Sequence, residues 1–262
     1  MSRQYIARSE QLSSAWAELF LELMKPGVTK LSPVVVTVSE FDANHLPLEN
    51  PVIRAALDRL LQTEQSCRTV ASTIFPNSVW RPGLADNAAD LYARYEKIWP
   101  RIKRCHANAN GVYFRRLTAY SAKCADGVGA PVNQLGHIIE TYQLGNHRHS
   151  ALQASILDPT RDHNHARQRG FPCLQQVAFG AVDGELEVTG FYALQHHITK
   201  SYGNYLGLCW LGRFMAQQME LRLSRVTCVS SMLNLGAYTK GTLSPLKGEI
   251  EQILSVNQEQ QA

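Results

Sequence analysis

The sequence predicts an α+β fold with one large mixed or antiparallel sheet flanked by helices. Helical and strand-like segments do not alternate strictly along the chain, which disfavours a doubly wound parallel sheet. A hairpin signal stands mid-chain, where Asp183-Gly184 separates two β-rich runs, 172–182 and 185–192. No long Pro/Gly/Ser linker interrupts the pattern. Residues 1–262 are therefore expected to form one domain, with a frayed polar tail from about residue 255.

Composition places the chain among globular proteins. Hydrophobic residues make up 45% of the 262 positions and charged residues 18%, which excludes disorder, collagen and coiled coil as the main state. The net charge is only +4 and no Lys/Arg run exceeds two residues, so no nucleic-acid partner is expected. No stretch of 18 apolar residues occurs, so no membrane partner is expected. The first five residues lack the apolar core of a signal peptide, and the expected location is cytoplasmic.

Periodicity predicts the elements before the hairpin. Apolar residues recur at three- and four-residue steps between Ser9 and Met24, which predicts a helix, and the β-rich segment 31–38 predicts a strand. Asn50-Pro51 opens a second helix that runs through Leu61, because proline suits the first helical turn. Two more helical segments are expected at 85–102 and 131–142, followed by an exposed polar loop at 161–169.

Two further elements are expected after the hairpin. Apolar residues at Leu208, Leu211, Met215 and Met219 predict a long buried helix over 204–223 that ends near Arg225. The segment 226–235 then has the composition of another strand.

Cysteine and histidine patterns do not predict a metal site. The six cysteines form no CxxC pair and are expected to be reduced thiols, with Cys209 and Cys228 in the core. Histidines cluster as His147/His149, His163/His165 and His196/His197. A His-x-His pair can bind zinc, but no third ligand stands at a recognisable spacing, so polar loop histidines are the favoured interpretation.

Cys173 is the main candidate for a reactive side chain. It follows Pro172 at the start of a long strand, behind a loop that carries Arg161, Arg167 and Arg169. Exposure beside positive charge lowers the pKa of a thiol and favours a nucleophile. The alternative is an ordinary core cysteine on a strand. The GxGxxG, GxxxxGK[ST], HExxH and GxSxG motifs do not occur.

This region resembles the thymidylate synthases and the related pyrimidine hydroxymethylases. In that family a Pro-Cys pair begins a long strand, a hairpin follows, and then a long helix, as Pro172-Cys173, Asp183-Gly184 and the segment 214–218 do here. Aligned on Cys173 without a gap, Asn204 falls where the family has its pyrimidine-recognising asparagine. Upstream, the segments 111–113, 119–120, 133–135 and 155–159 resemble family segments, and so do Trp80 and Trp99. The resemblance covers 77–235.

The resemblance implies a thymidylate-synthase-like fold and a one-carbon transfer to a pyrimidine nucleotide. The Cys173 thiolate would add to C6 of the ring, and C5 would attack a one-carbon unit carried by 5,10-methylenetetrahydrofolate. Asn204 would recognise the base, since an amide both donates and accepts hydrogen bonds. Tyr113 and Trp99 would form active-site walls, the alternative being core aromatics. For Asn204 the alternative is a helix N-cap. The family also implies a homodimer through the flat face of the sheet.

Several functional positions of the family are altered. Asn77 replaces the proton-relay glutamate, and His196 replaces the pterin-binding aspartate, where it could act as a general base. Leu174 replaces the histidine after the nucleophile, and the phosphate-binding arginine maps to Ala193. Arg148 is the nearest match to the phosphate-binding arginines that a partner subunit supplies. Lys200 and the 161–169 loop are further phosphate-binding candidates.

These replacements argue against a housekeeping thymidylate synthase. The leading hypothesis is a divergent pyrimidine-nucleotide C5 methyltransferase or hydroxymethyltransferase. One alternative is an enzyme of the same fold that works without folate. Another is a non-catalytic relative that binds a nucleotide or a partner protein.

Overall fold

The computed structural model describes residues 2–82, 87–108, 111–121, 123–124, 127–145, 147–163, 165 and 172–259. Its α-helices are α1 (Leu12–Met24), α2 (Pro51–Leu60), α3 (Cys67–Ile74), α4 (Ala88–Lys103), α5 (Tyr113–Thr118), α6 (Gln134–Gln143), α7 (Pro159–Asp162), α8 (Tyr202–Gln218) and α9 (Ser244–Glu259). Its strands are β1 (Ser2–Ile6), β2 (Lys30–Val38), β3 (Lys123–Cys124), β4 (Gly127–Val128), β5 (Gln153–Ser155), β6 (Leu174–Val182), β7 (Glu185–Tyr192), β8 (Gln195–His196), β9 (Arg222–Ser230) and β10 (Leu233–Asn234). A π-helical stretch, His197–Ser201, precedes α8.

One mixed sheet dominates the described part of the chain. Its eight strands include β1, which pairs with β2, and the others follow the order β5-β6-β7-β9-β2-β10-β8. Strand β7 is antiparallel to β6 but parallel to β9, and β9 is antiparallel to β2. Helices α8 and α1 pack against this sheet. The predicted α+β class with a large mixed sheet and flanking helices is confirmed.

The predicted hairpin joins β6 to β7 through Asp183 and Gly184. Both turn residues have left-handed φ angles, 51° and 79°, as a type I′ turn requires. Because the strands are antiparallel, the start of β6 meets the end of β7, where Leu174 lies opposite Tyr192. The Ala193 N–H donates to the Cys173 carbonyl over 3.0 Å. The hairpin thus brings Cys173 to the same end of the sheet as β8.

The predicted second helix is also confirmed. Asn50 caps α2, and its side-chain oxygen accepts hydrogen bonds from the Val52 and Ile53 N–H groups at 2.9 and 3.2 Å. Pro51 occupies the first turn. Helix α1 and strand β2 likewise lie where the apolar periodicity predicts them.

Helix α8 packs against α3 at two glycines. A Cβ on Gly203 would lie 2.5 Å from the Val70 Cβ, and one on Gly207 would lie 2.8 Å from the Ala71 carbonyl oxygen. Any larger residue would push the two helices apart. The close approach sets Asn204 on α8 beside Val70 on α3.

The predicted end of this helix is wrong. Helix α8 stops at Gln218, and β9 begins at Arg222, so the helix does not reach 223–225. Glu220 adopts a left-handed φ of 56°, which a helix cannot continue through. Beyond it, burial alternates along β9, with Leu223, Val226 and Cys228 on the covered face.

Several elements have no counterpart among the predictions. They are β1, α3, α5 and α9 and the short elements α7, β3, β4, β5 and β8. Helix α9 extends to Glu259, through the segment expected to be frayed. The loop expected at 161–169 begins inside α7, while 164 and 166–169 lie outside the described residues. Within the described residues, no helix is both long and apolar enough to cross a membrane.

Candidate functional site

A cleft of about 320 Å³ opens where β6, β8, α3, α5 and α8 meet. Five of the predicted site residues line it, namely Cys173, Asn204, Tyr113, His196 and Lys200. They come from distant parts of the chain, and the hairpin, the short strand β8 and the buried helix α8 bring them together. The charged side chains among its described lining residues are those of Arg116 and Lys200. A cleft with this lining suits an anionic ligand.

Cys173 is half-buried, just before β6. Burial raises the pKa of its thiol, and the positive charge of Lys200 acts in the opposite direction. The expectation of a low-pKa thiol is thus not met, because desolvation outweighs the nearby charge. The hydroxyl of Tyr113 lies beside the backbone of Cys173 and Leu174, and burial raises the pKa of this phenol.

Asn204 lies inside α8 rather than at its N-cap, because the helix begins at Tyr202. Its side chain is 4% exposed. The Asn204 amide nitrogen donates to the Gln195 side-chain oxygen over 2.9 Å. Gln195 belongs to β8 and also lines the cleft. Sequence patterns gave no signal for Gln195, because its role depends on the pairing of β8 with β10.

His196 is held by Asn234 on the neighbouring strand β10. The His196 Nδ1 and the Asn234 Oδ1 lie 2.9 Å apart, and the same oxygen accepts the Gly236 N–H at 2.9 Å. Because the Gly236 N–H can only donate, the Asn234 side-chain atom that it contacts is the acceptor oxygen. His196 Nδ1 must therefore donate to this oxygen, so Nδ1 carries the proton. The Nε2 of His196 is then the basic nitrogen of the ring.

Lys200 reaches the cleft from the π-helical stretch. Its Nζ donates to the Gln65 side-chain oxygen over 2.6 Å. Burial lowers the pKa of Lys200, while Glu64 and Cys173 favour its charged form. Stretches of π-helix are rare and recur at functional sites, where they alter which side chains face a ligand.

Arg116 forms a buried ion pair with Asp162. Its Nη2 donates to Asp162 Oδ1 over 2.8 Å, its Nη1 bonds the other carboxylate oxygen, and Nη1 also donates to the Ile156 carbonyl at 2.8 Å. Burial alone would raise the pKa of Asp162, but the hydrogen bonds and charge of Arg116 lower it. Asp162 therefore neutralises much of the charge that Arg116 brings to the cleft.

A second cleft of about 240 Å³ adjoins the first, and Arg116 lines both. Trp99 lies in this second cleft, with the Arg115 guanidinium 5.1 Å from its ring centre. The cationic side chains of Lys103 and Arg161 also line it. The predicted wall residue Trp99 is thus a neighbour of the Cys173 cleft and not part of its lining.

Asn77 and Arg148 line neither of these two clefts. Asn77 lies in the turn after α3, and its Oδ1 is buried with no hydrogen-bond partner among the described residues. Arg148 is exposed, just before a short turn at 149–151. Of the arginines in the predicted basic loop, Arg161 lines the second cleft, while Arg167 and Arg169 lie outside the described residues.

The histidine pairs do not gather metal ligands in the described part of the chain. His147 and His149 have ring centres 6.2 Å apart, and no group of three or more His, Cys, Asp or Glu side chains there could hold a metal ion.

No model of a protein family matches the sequence, and a search of the curated proteins finds no match.

Proposed function

We propose that the chain is a divergent pyrimidine-nucleotide C5 one-carbon transferase with a thymidylate-synthase-like fold. The observation that carries the proposal is that Cys173 and Asn204 line one cleft, together with the cation of Lys200. Addition to a pyrimidine ring requires a nucleophile and a base-recognising group in one cleft, and Cys173 and Asn204 can supply them. The substrate is a pyrimidine nucleotide.

Four of the lining residues have a task in this reaction. The Cys173 thiolate forms a bond to ring C6, which moves an electron pair towards C5 and its neighbouring carbonyl. Asn204 binds the ring edge and stabilises the charge that develops there. His196, with Nε2 as its basic nitrogen, takes the proton that C5 must lose. The cation of Lys200 stabilises the thiolate and attracts the phosphate group.

The one-carbon donor is 5,10-methylenetetrahydrofolate, bound in the second cleft. The aromatic faces of Trp99 and Tyr120 suit its rings, and the cations of Lys103 and Arg161 suit its carboxylates. When bound, the donor supplies the methylene carbon. For a methyl product the tetrahydrofolate would also supply the hydride and leave as dihydrofolate, whereas for a hydroxymethyl product water would add and tetrahydrofolate would leave. In both cases the Cys173 sulfur leaves C6 as the ring double bond forms again.

A folate-independent or non-catalytic nucleotide-binding protein is the second candidate. Burial raises the pKa of the Cys173 thiol, which lowers the fraction of reactive thiolate in the absence of ligand. A cleft that only binds nucleotides needs the amide and the cations, but not the thiolate.

Intact-mass spectrometry separates these functions. The full chain is incubated with 5-fluoro-dUMP, 5-fluoro-UMP or 5-fluoro-CMP, each with and without methylenetetrahydrofolate. One-carbon transfer gives a ternary adduct that Cys173→Ala abolishes and Cys105→Ala, at an exposed cysteine, retains. A binary adduct alone favours folate-independent chemistry. The absence of any adduct, with the nucleotide bound, favours the non-catalytic protein and refutes the transferase.

We also propose that two copies associate through one face of the sheet, called here the threonine face, on which Thr189 and Phe191 are exposed and Thr37 and Thr227 partly exposed. Thr37, Thr227 and Thr189 lie side by side on β2, β9 and β7. Val229 and Phe191 form part of the next row, and Phe191 is 41% exposed. Short and apolar side chains on a broad sheet face allow a second identical face to pack against it.

A further inference from the structure

A buried line of side chains leads from the cleft into the sheet. The Asn204 amide nitrogen donates to Gln195 Oε1 at 2.9 Å, and Gln195 Nε2 donates to Ser230 Oγ at 2.5 Å and to Cys228 Sγ at 3.1 Å. Asn204 is 4% exposed, Cys228 2%, and Gln195 and Ser230 1% each. These hydrogen bonds therefore form where water does not compete with them.

This line fixes the direction in which the Asn204 amide points. Gln195 turns its amide nitrogen towards β9 and its amide oxygen towards Asn204. Its backbone is anchored as well, because the Gln195 N–H donates to the Met232 carbonyl at 2.9 Å. A half-turn of the Asn204 amide would set two oxygens against each other in a buried place, at the cost of a lost hydrogen bond.

The direction of this amide matters because uracil and cytosine have opposite hydrogen-bonding edges. Uracil donates from N3 and accepts at O4, whereas cytosine accepts at N3 and donates from its 4-amino group. A side-chain amide held in one orientation complements one of these edges and opposes the other. A freely turning amide accommodates both.

We propose that Gln195 is a positioning residue that makes the cleft discriminate between uracil and cytosine nucleotides. It acts through Asn204, whose amide it holds in one orientation, and Ser230 holds Gln195 in turn. This inference rests on the proposed function, because it requires a pyrimidine base at Asn204. It adds a determinant of specificity that lies one hydrogen bond behind the base-contacting residue.

The test measures binding of UMP, CMP and their deoxy forms to the full-length chain by titration calorimetry. The unmodified chain should prefer one base by about tenfold or more, the size expected when a buried hydrogen bond is lost. Gln195→Met has a similar length but no hydrogen bond to Asn204, and it should bring this ratio close to one. Gln195→Glu keeps an oxygen towards Asn204 and should keep the preference. Gln143→Met, an exposed glutamine on α6, is the control and should change nothing.

Ser230→Ala tests whether Gln195 acts by positioning Asn204, because this substitution removes no residue that lines the cleft. Ser230 is not among the described lining residues, yet its removal should weaken the base preference by several-fold. It also decides the question if Gln195→Met fails to fold. Nucleotide binding with a base ratio unchanged in Gln195→Met and Ser230→Ala overturns this inference and leaves the proposed function standing. Equal affinity for both bases in the unmodified chain also overturns it, and no binding of any nucleotide overturns both proposals.

Discussion

Lys200 and Cys173 line the same cleft and each favours the charged form of the other. Burial acts against both charges, because it raises the pKa of the thiol and lowers the pKa of the amine. A thiolate at Cys173 is therefore more stable when Lys200 is an ammonium group than when Lys200 is neutral.

This relationship predicts that Lys200 controls the reactivity of Cys173. Lys200→Met removes the positive charge that lowers the pKa of the Cys173 thiol, so the thiolate fraction at neutral pH should fall. Alkylation of Cys173 by iodoacetamide, followed by peptide mass spectrometry, should slow several-fold. The exposed Cys105 gives an internal reference, and Lys97→Met on the outside of α4 is the control. An unchanged alkylation rate would show that Lys200 does not act on the thiol.

His197 predicts a loss of stability in mild acid. It is fully buried, its ring stacks on Trp16 with centres 5.0 Å apart, and burial lowers its pKa from 6.5 to about 3. Between these two pKa values the unfolded chain binds a proton that the folded chain does not. The free energy of unfolding therefore decreases as the pH is lowered. The slope approaches about 1.4 kcal/mol per pH unit.

Urea unfolding at several pH values between pH 6.5 and about pH 3 measures this slope. His197→Phe keeps a ring against Trp16 and should flatten the dependence. It should also cost about 1 kcal/mol at neutral pH, because the 3.0 Å hydrogen bond to the Trp16 carbonyl is lost. The exposed His137→Gln should leave the slope unchanged. A His197→Phe variant as acid-sensitive as the parent would refute the assignment.

The ion pair of Arg116 and Asp162 predicts a large effect when one partner is removed. Their side chains are 10% and 5% exposed, so Arg116→Met leaves a buried carboxylate unpaired. The free energy of unfolding should fall by about 3–5 kcal/mol, and Arg116→Met with Asp162→Leu should recover part of it. Lys247→Met, which breaks an exposed pair with Glu251 on α9, should cost less than about 0.5 kcal/mol.

The same pair has its own acid dependence. Arg116 holds the pKa of Asp162 below its usual range, despite the opposing effect of burial. The stabilisation is therefore complete above the unfolded pKa, about 4, and is lost as the pH falls through the lower folded value. A chain whose acid unfolding below about pH 4 is unchanged by the double substitution would contradict this.

The contact between α3 and α8 predicts opposite effects for two glycine substitutions. Gly207→Ala places a Cβ 2.8 Å from the backbone oxygen of Ala71, which cannot move aside, so the protein should lose about 1–3 kcal/mol of stability. Gly248→Ala on α9 meets nothing within 4 Å and should gain about 0.5–1 kcal/mol, because alanine favours a helix. Denaturant unfolding compares the two, and equal effects would contradict the packing.

If two copies associate through the threonine face of the sheet, one charged substitution on that face should disrupt the dimer. Thr227 lies in the middle of the threonine row, between Thr37 and Thr189. Thr227→Arg introduces a buried unpaired charge into a face-to-face contact, so light scattering should show a monomer where the parent shows a dimer. Thr63→Arg, in an exposed turn, is the control. A monomeric parent chain would refute the proposed association.

Local patterns predicted the elements whose signals are local. The Asn50 cap, the Asp183-Gly184 turn and the apolar stripe of α1 each lie within a few residues of the element that they define. The end of α8 was missed because Leu221 and Leu223 continue an apolar pattern, and only the left-handed φ at Glu220 breaks the helix. A non-glycine residue in that conformation gives no signal in sequence.

The candidate site likewise contains residues that sequence patterns predict and residues that they do not predict. Cys173 stands out in sequence as a cysteine after a proline at a strand start, and Asn204 stands out only through the ungapped alignment on Cys173. Gln195 and Arg116 are not visible, because their partners Ser230 and Asp162 are distant in the chain and meet them only after the sheet forms. The pKa of Cys173 was misjudged because burial, unlike nearby charge, cannot be counted from neighbouring residues.

The glycine contact between α3 and α8 has a mechanical consequence for the cleft. Val70 and Thr73 on one helix and Asn204 on the other line the cleft, and α8 has no side chain at Gly203 and Gly207, where it meets α3. The two helices cannot move closer together there, because they are already in van der Waals contact. A ligand therefore cannot narrow the cleft by drawing α3 and α8 together, and any closure around it has to come from the other elements of the lining.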